Sequence, residues 1–395
     1  MQTHYDYIIA GSGAAGLSLV MHILQHKKLA SKSILIIDKN TKTKNDRTWC
    51  FWQKEAGLFE SIVYKSWDSL KVYGAGFEKQ EKIAPYTYKM IRGLDFYTHC
   101  VNAIRHQPNI HILTDTVQSI TTSANQAAVV ASNITYTATY VFSSILLQKP
   151  QLLPHQHYLL QHFKGAVITT TTPTFTPKAA TYMDFRVSQH HGTTFGYVLP
   201  ITETKALVEY TLFTKNILTP EEYSNGLKSY INQQLGITNY TIIEEEQGII
   251  PMTDYAFKSA DGNILYIGTA GGNTRGSTGY TFSYIQKHSK ALVTALAANA
   301  HPASIKPTIS RRAQFYDKVF LSVLANTKVQ GSSLFTNMLQ NKKITTILSF
   351  LDDDNNFVND IRVILCQPKS IFIKAALQKI FKQKGKSAIP QTGDV

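Results

Sequence analysis

The chain is poor in the residues that staple small folds or hold metals. Its three cysteines, Cys50, Cys100 and Cys366, stand far apart and form no CxxC pair. A disulfide framework or a zinc site would need paired, regularly spaced cysteines. Neither is offered, and a reducing compartment fits. The thirteen histidines contain no HExxH spacing, so no metal site is expected. No GxSxG turn is present to expose a nucleophilic serine. No uninterrupted apolar run reaches the ~18 residues of a membrane span. The first residues, Met1-Gln2-Thr3-His4, lead straight into a strand-like run, so a secretory leader is not expected. The expected location is cytoplasmic, with any membrane contact peripheral. Acids are scarce as well, 26 against 40 basic residues, for a formal charge of +14. Such a balance favours anionic surfaces. No zinc-finger spacing, RNA-recognition signature or arginine stripe accompanies it, so nucleic acid is not an expected partner and a membrane surface is.

What is present suits a large core. The 395 residues are 43% apolar and 11% aromatic, enough for two intimately packed domains. Residues 5–10 (YDYIIA) read as a buried parallel strand. The turn Gly11-Ser12-Gly13-Ala14-Ala15-Gly16 follows, then a helix with Leu17, Val20, Met21 and Leu24 on one face, then a second strand (SILII) ending at Asp38. A bare GxGxxG is weak, but this strand–turn–helix–strand setting is specific. Gly11 permits the tight turn, Gly13 lets backbone approach a pyrophosphate, and Gly16 lets helix and strand pack closely. The helix N-terminus offers free N–H groups to phosphate. Asp38 is placed to accept an adenosine ribose. A second segment, Gly268-Thr269-Ala270-Gly271-Gly272, also follows a strand and precedes a helix. The first motif does not choose between NAD and FAD; a late glycine segment returning to the cofactor tips the choice to FAD.

The expected architecture is α/β: a Rossmann-like, three-layer FAD-binding domain with an inserted β-sheet substrate domain and a helical C-terminal part. The boundaries assign 1–75, 94–160 and 262–300 to the FAD-binding domain, 76–93 and 161–261 to the substrate domain, and 301–385 to the helical region. Residues 386–395 read as a disordered tail. Segments 110–120, 126–131 and 134–147 alternate like a meander, and Thr219 with Pro220 marks a helix start.

Several charged residues invite function. Arg92 is placed to meet the cofactor or a substrate anion. On 205–211, Leu207, Glu209 and Thr211 share a face by period-two alternation. An acid in so apolar a strand, if buried, would keep its proton and be able to donate it. Asp184 lies on a neighbouring strand. The run Glu244-Glu245-Glu246 reads as a solvated face. On a C-terminal helix over 368–386, Ile373, Leu377, Ile380 and Phe381 fall on one side with lysines around them, a pattern shared by membrane-surface helices and docked terminal helices.

Five segments together resemble the FAD-dependent lycopene cyclases of the bacterial and plant type. Asp46-Arg47-Thr48-Trp49-Cys50-Phe51-Trp52 is similar to the family's D-x-T-W-x-F segment, Met183-Asp184-Phe185 to its M-D strand, and Val208-Glu209-Tyr210-Thr211 to its E-[DE]-T motif. Gln247 to Met252 resembles its G-x-x-P-[ML] stretch, and Gly268 to Tyr280 its late glycine segment. The resemblance runs from about Tyr5 to about Leu296. It implies a redox-neutral cyclisation of lycopene end groups to β-rings with reduced FAD, and NAD(P)H as reductant. It gives Glu209 the acid/base role, with Asp184 in support. The implied cofactor contacts are Gly11, Gly13, Gly16, Asp38, Arg47, Thr48, Arg92, Gly268, Gly271 and Gly272. Tyr182, Phe185, Phe195, Tyr197, Tyr210 and Tyr280 are candidate π-faces for a carbocation. Two positions depart from the pattern: Tyr210 replaces the motif's second acid, and Thr269 stands where many FAD folds carry aspartate. The glycine motifs alone also fit a flavin hydroxylase, a polyprenyl reductase or a non-catalytic carotenoid carrier.

Overall fold

The apolar run at the N-terminus forms the strand His4–Ala10, and the sheet around it frames the molecule. The computed structural model describes residues 2–326 and 329–384. Across this sheet, Ile264–Tyr266, Ile134–Ser143, His4–Ala10, Ile34–Asp38 and Ile110–Thr114 run parallel. The central strands His4–Ala10 and Ile34–Asp38 are buried on both faces, which is why they read as continuous apolar runs. Side-chain alternation divides them. Ile34 and Ile36 pack with Leu17, Val20 and Leu292 from the helices Ala14–Leu24 and Phe282–Ala297. Leu35 and Ile37 pack instead with Val117, Ala127 and Val129 from an antiparallel layer. The three layers expected from the sequence are therefore present. One segment differs. Ile110–Thr114 belongs to the parallel sheet, and the meander begins at Val117. Alternation is the same for a half-exposed parallel edge strand and a meander strand, so it could not separate them.

The second sheet has seven strands in the order Thr241–Thr253, Tyr158–Thr169, Lys205–Thr214, Thr193–Pro200, Ala179–Asp184, Ser69–Gly74 and Phe77–Lys82. The boundary drawn at residue 75 is thus misplaced for one strand: Ser69–Gly74 pairs in parallel with Ala179–Asp184, a crossover that local sequence does not announce. On one face of this sheet, Val208, Tyr210 and Leu212 pack under Tyr223 and Leu227 of the helix Pro220–Ser229. That helix opens on the expected cap, with Thr219 and Glu222 forming a reciprocal capping box and Pro220 in the first turn. The helix continues as a π-helical turn, Tyr230–Gln234.

The opposite face meets the small antiparallel sheet of Thr48–Gln53, Thr87–Arg92 and Lys65–Trp67, together with the C-terminal helices. Those helices include Arg311–Asn326, Gly331–Asn341, Ile344–Leu351, Phe357–Ile364 and Lys369–Lys384. Among the described residues no helix is long and apolar enough to cross a membrane. The tail at 386–395 lies outside the described residues.

Candidate active site

The first glycine turn is built as a cradle. Gly11 takes φ +99°, a left-handed conformation that other residues rarely adopt, and its N–H donates to the Ile37 carbonyl at 2.8 Å. At Gly16 a Cβ would lie 2.0 Å from the Gly11 carbonyl oxygen, so only glycine lets helix and turn close together. Gly13 is different, because a Cβ there would meet nothing within 4 Å. It caps the helix Ala14–Leu24 without a side-chain hydrogen bond, leaving first-turn N–H groups free beside open space. That combination fits a pyrophosphate. Asp38 closes the end of the cradle. Its carboxylate accepts from Ser12 N–H at 2.7 Å and Asn40 N–H at 2.8 Å and faces Lys42 at 3.3 Å. Partial burial works to raise its pKa, but these donors and Lys42 outweigh it and hold the group below the usual carboxylate range.

The second glycine segment meets the first. Gly268, at φ +61°, places the site of a Cβ 2.8 Å from the Ala15 methyl. Gly13, Gly268 and Thr269 border one cavity of about 460 Å³, which continues past Arg47 and Thr48 to Glu209 and Glu246. Its size falls in the ~300–1,000 Å³ range of small-molecule sites. Other expected contacts lie elsewhere. Gly271 packs on the Tyr266 carbonyl, and with Gly272 it shapes the turn and borders a neighbouring cavity of about 280 Å³. Arg92 donates to Asp95 at 2.7 Å, stacks 3.9 Å over the Tyr64 ring, and borders a small separate hollow.

The far end of the large cavity carries the acids. Leu207 and Glu209 face inward from Lys205–Thr214, while Tyr210 points to the other face, where its ring packs against Gly226. Tyr210 therefore neither borders the cavity nor substitutes there for a second acid. The second carboxylate comes from two strands away. Gly165 is the cross-strand partner of both Glu209 and Glu246. A Cβ at Gly165 would stand 3.0 Å from Glu209 Cγ and 3.2 Å from Glu246 Cγ. Without it, the two acidic side chains lie beside each other over the glycine, close enough for each charge to act on the other.

Thr48 Oγ1 donates to Glu246 Oε2 at 2.7 Å. Glu246 Oε1 is buried and has no conventional hydrogen-bond partner among the described residues. Burial first, and the Glu246 charge second, raise the Glu209 pKa well above the usual carboxyl range. Burial also raises that of Glu246, against the opposing pull of its bonds from Thr48 and Glu209.

The acidic run accordingly splits. Glu245 is exposed and pairs with Lys164 at 2.9 Å, Glu244 accepts from Asn45 at 2.6 Å, and Glu246 turns inward. The sequence reading as one solvated face overlooked the strand's own alternation, which separates 244 and 246 from 245. Asp184, paired with Glu209 in that reading, is fully buried but does not border the cavity. Arg186 clasps it at 2.9 and 2.6 Å, and Tyr230 donates to it at 3.1 Å.

Aromatic rings wall the reaction end. Tyr88, Tyr197 and Tyr280 border the cavity. Tyr280 donates to the Tyr182 hydroxyl at 2.6 Å, and Trp52 meets the Tyr280 ring edge-on at 4.7 Å. Burial raises the pKa of Tyr88, Tyr197 and Tyr280 well above the usual range and keeps them neutral. Phe195 continues the wall at 5.2 Å from Tyr197, and Phe185 at 5.5 Å from Phe195.

A βαβ cradle, a glycine segment returning to its helix, and a sheet-walled cavity leading away from both define the fold of the FAD-dependent flavoproteins. Solved structures with this fold include a geranylgeranyl bacteriochlorophyll reductase-like protein from Thermoplasma acidophilum, 13% identical, covering 94% of this chain and 98% of that one with a TM-score of 0.68. Another is HpxO from Klebsiella pneumoniae, solved with FAD and uric acid, 12% identical, covering 88% and 96% with a TM-score of 0.62. Within that class the chain belongs to the lycopene cyclase family, whose model, described as lycopene cyclase protein, matches residues 6–377. The match reaches well beyond Leu296, into the C-terminal helices. A curated relative, the lycopene beta-cyclase of Pantoea ananas, is 26% identical over 266 residues. The alignment spans 64% of this chain and 64% of that protein, just under two-thirds of its length.

Proposed function

We propose that the protein is a lycopene β-cyclase that binds FAD in its reduced form, takes reducing equivalents from NAD(P)H, and closes the end groups of lycopene without net redox change. The observation that carries this reading is the Glu209–Glu246 pair, set in an aromatic cavity continuous with the dinucleotide cradle. Gly13 and the free first turn of Ala14–Leu24 would hold the pyrophosphate, Asp38 the ribose, and Gly268 and Thr269 the centre of the cofactor. Reduced FAD would supply negative charge beside a cationic hydrocarbon.

The chain's own groups do the proton work. Glu209 donates its proton to the terminal C1=C2 bond, leaving a tertiary cation at C1 and a carboxylate that Glu246 and Thr48 surround. The C5=C6 electrons close the C1–C6 bond and move the cation to C5. The carboxyl pair then recovers a proton from C6, and C5=C6 reforms within a β-ring. Neutral rings of Tyr88, Tyr197 and Tyr280 offer π-faces to the cation, and substrate packed against them would displace the water that would trap it.

The C-terminal helix supports peripheral attachment to a lipid surface. Ile373 and Phe381 are 58% and 66% exposed, with Leu377 and Ile380 exposed beside them. A membrane is where so insoluble a substrate resides.

One experiment tests both parts. Purified, reduced protein is mixed with lipid vesicles containing lycopene, and pigments and protein are followed by chromatography, mass and sedimentation. A product of unchanged mass with β-ring retention is expected, with the protein travelling with the vesicles. A gain of oxygen would indicate a hydroxylase and a gain of hydrogen a reductase, and either would overturn the cyclase reading. Protein left wholly in the supernatant would overturn the attachment.

A further inference from the structure

A second cavity, of about 260 Å³, lies among the C-terminal helices. Each of those helices contributes to its wall: Phe320 from Arg311–Asn326, Met338 from Gly331–Asn341, Phe350 from Ile344–Leu351, Ile364 from Phe357–Ile364, and Ala376 from Lys369–Lys384. Apolar side chains form nearly all of the lining. The polar residues of the lining are few: Ser277, Thr278, Tyr316, Asp317 and Gln367.

Three features connect this chamber to its surroundings. Thr278 borders both this chamber and the cavity that holds Glu209, and its hydroxyl is buried without a hydrogen-bond partner among the described residues. At the other end the chamber reaches Ile373, in the exposed apolar stripe of the last helix. The aromatic wall links the two spaces as well: Phe185 stacks on Phe335, a chamber residue, at 5.8 Å. An interior whose wall is so largely apolar favours a hydrocarbon chain. A long polyene with one end at Glu209 must also place the rest of its length somewhere dry.

We propose that this helical chamber is the second half of the substrate site: it takes the distal hydrocarbon chain of the polyene, which enters past Ile373 and meets the reaction cavity at Thr278. The assignment rests on the reading of the substrate as a long polyene, and it adds where that polyene lies and from which side it arrives.

The test is equilibrium binding of lycopene, and of a truncated polyene with the same end group, to the FAD-loaded protein. Binding is followed by the polyene's own absorbance shift and needs no turnover. Ala376→Trp fills the chamber. Ile373→Arg, at an exposed position that tolerates charge without harming the fold, guards its mouth. Each variant should weaken lycopene binding by about tenfold or more, while the truncated polyene and the flavin content stay near wild type. Lycopene binding unchanged in Ile373→Arg and in a folded Ala376→Trp would overturn the chamber assignment and leave the cyclase reading standing. Equal weakening of both polyenes would also overturn it, since the variant would then be damaging the reaction cavity. Failure of the wild-type protein to bind either polyene would overturn the substrate reading itself.

Discussion

Glu209→Gln is expected to lower kcat for cyclisation by about 10²–10⁴-fold, the usual contribution of a general acid or base, while leaving folding and flavin content unchanged. The geometry explains the separation of effects. A glutamine amide retains the side chain's length and its place beside Glu246 over Gly165, so the packing there survives. What is lost is a proton that can leave. Glu246→Gln should behave differently. The Glu246 charge is the second cause, after burial, of the raised Glu209 pKa. Removing it lowers that pKa without returning it to the value of an exposed carboxyl, because burial remains. Activity that needs protonated Glu209 is lost as pH rises through its pKa, so the alkaline limb of the pH–rate profile should move to lower pH in Glu246→Gln. A purely structural role for Glu246 would reduce activity equally at every pH, and a parallel profile would remove it from the proton chemistry. Near wild-type turnover in Glu209→Gln would remove Glu209 as well.

The halves of this site were unequally legible in the sequence. The cradle is local: strand, glycine turn, helix and acid lie within the first forty residues, and each glycine has a backbone reason that one segment reveals. The inward direction of Glu209 follows from alternation along a single strand. Its partner does not. Glu246 reaches it only because Tyr158–Thr169 lies between their two strands and carries Gly165 at the register where both acids point. That register is a property of three strands, and no one of them displays it. The same distinction explains Asp184, whose motif resemblance drew attention while its function in the fold is an ion pair with Arg186 under the Tyr230 hydroxyl. It also explains Ser69–Gly74, whose parallel partner is more than a hundred residues away.

Asp317→Ala is expected to destabilise the folded protein by ~3–5 kcal/mol, the cost of leaving one member of a buried ion pair alone. Its partner, Arg275, sits inside the second glycine segment and is only 1% exposed. Asp317 receives both arms of that guanidinium, at 2.9 and 2.8 Å, along with the Ser277 hydroxyl at 2.7 Å and the Gly276 N–H at 3.2 Å. Arg275 also donates to the Leu351 carbonyl at 2.6 Å. Burial alone would lower the Arg275 pKa, but Asp317 outweighs it, and the guanidinium stays charged at any working pH. With Asp317 removed, that charge has no compensation in the interior. One carboxylate therefore pins the turn that borders the cofactor cavity to the helices that form the apolar chamber. Denaturant unfolding should show the loss directly, and flavin should dissociate from Asp317→Ala before the global transition, since the released turn carries Gly268 and Thr269. Replacing both partners together, as Arg275→Met with Asp317→Leu, should recover much of the stability, because no uncompensated charge remains buried. A single variant as stable as wild type, or a double variant no better than the single, would show that the pair does not hold the two halves of the site together.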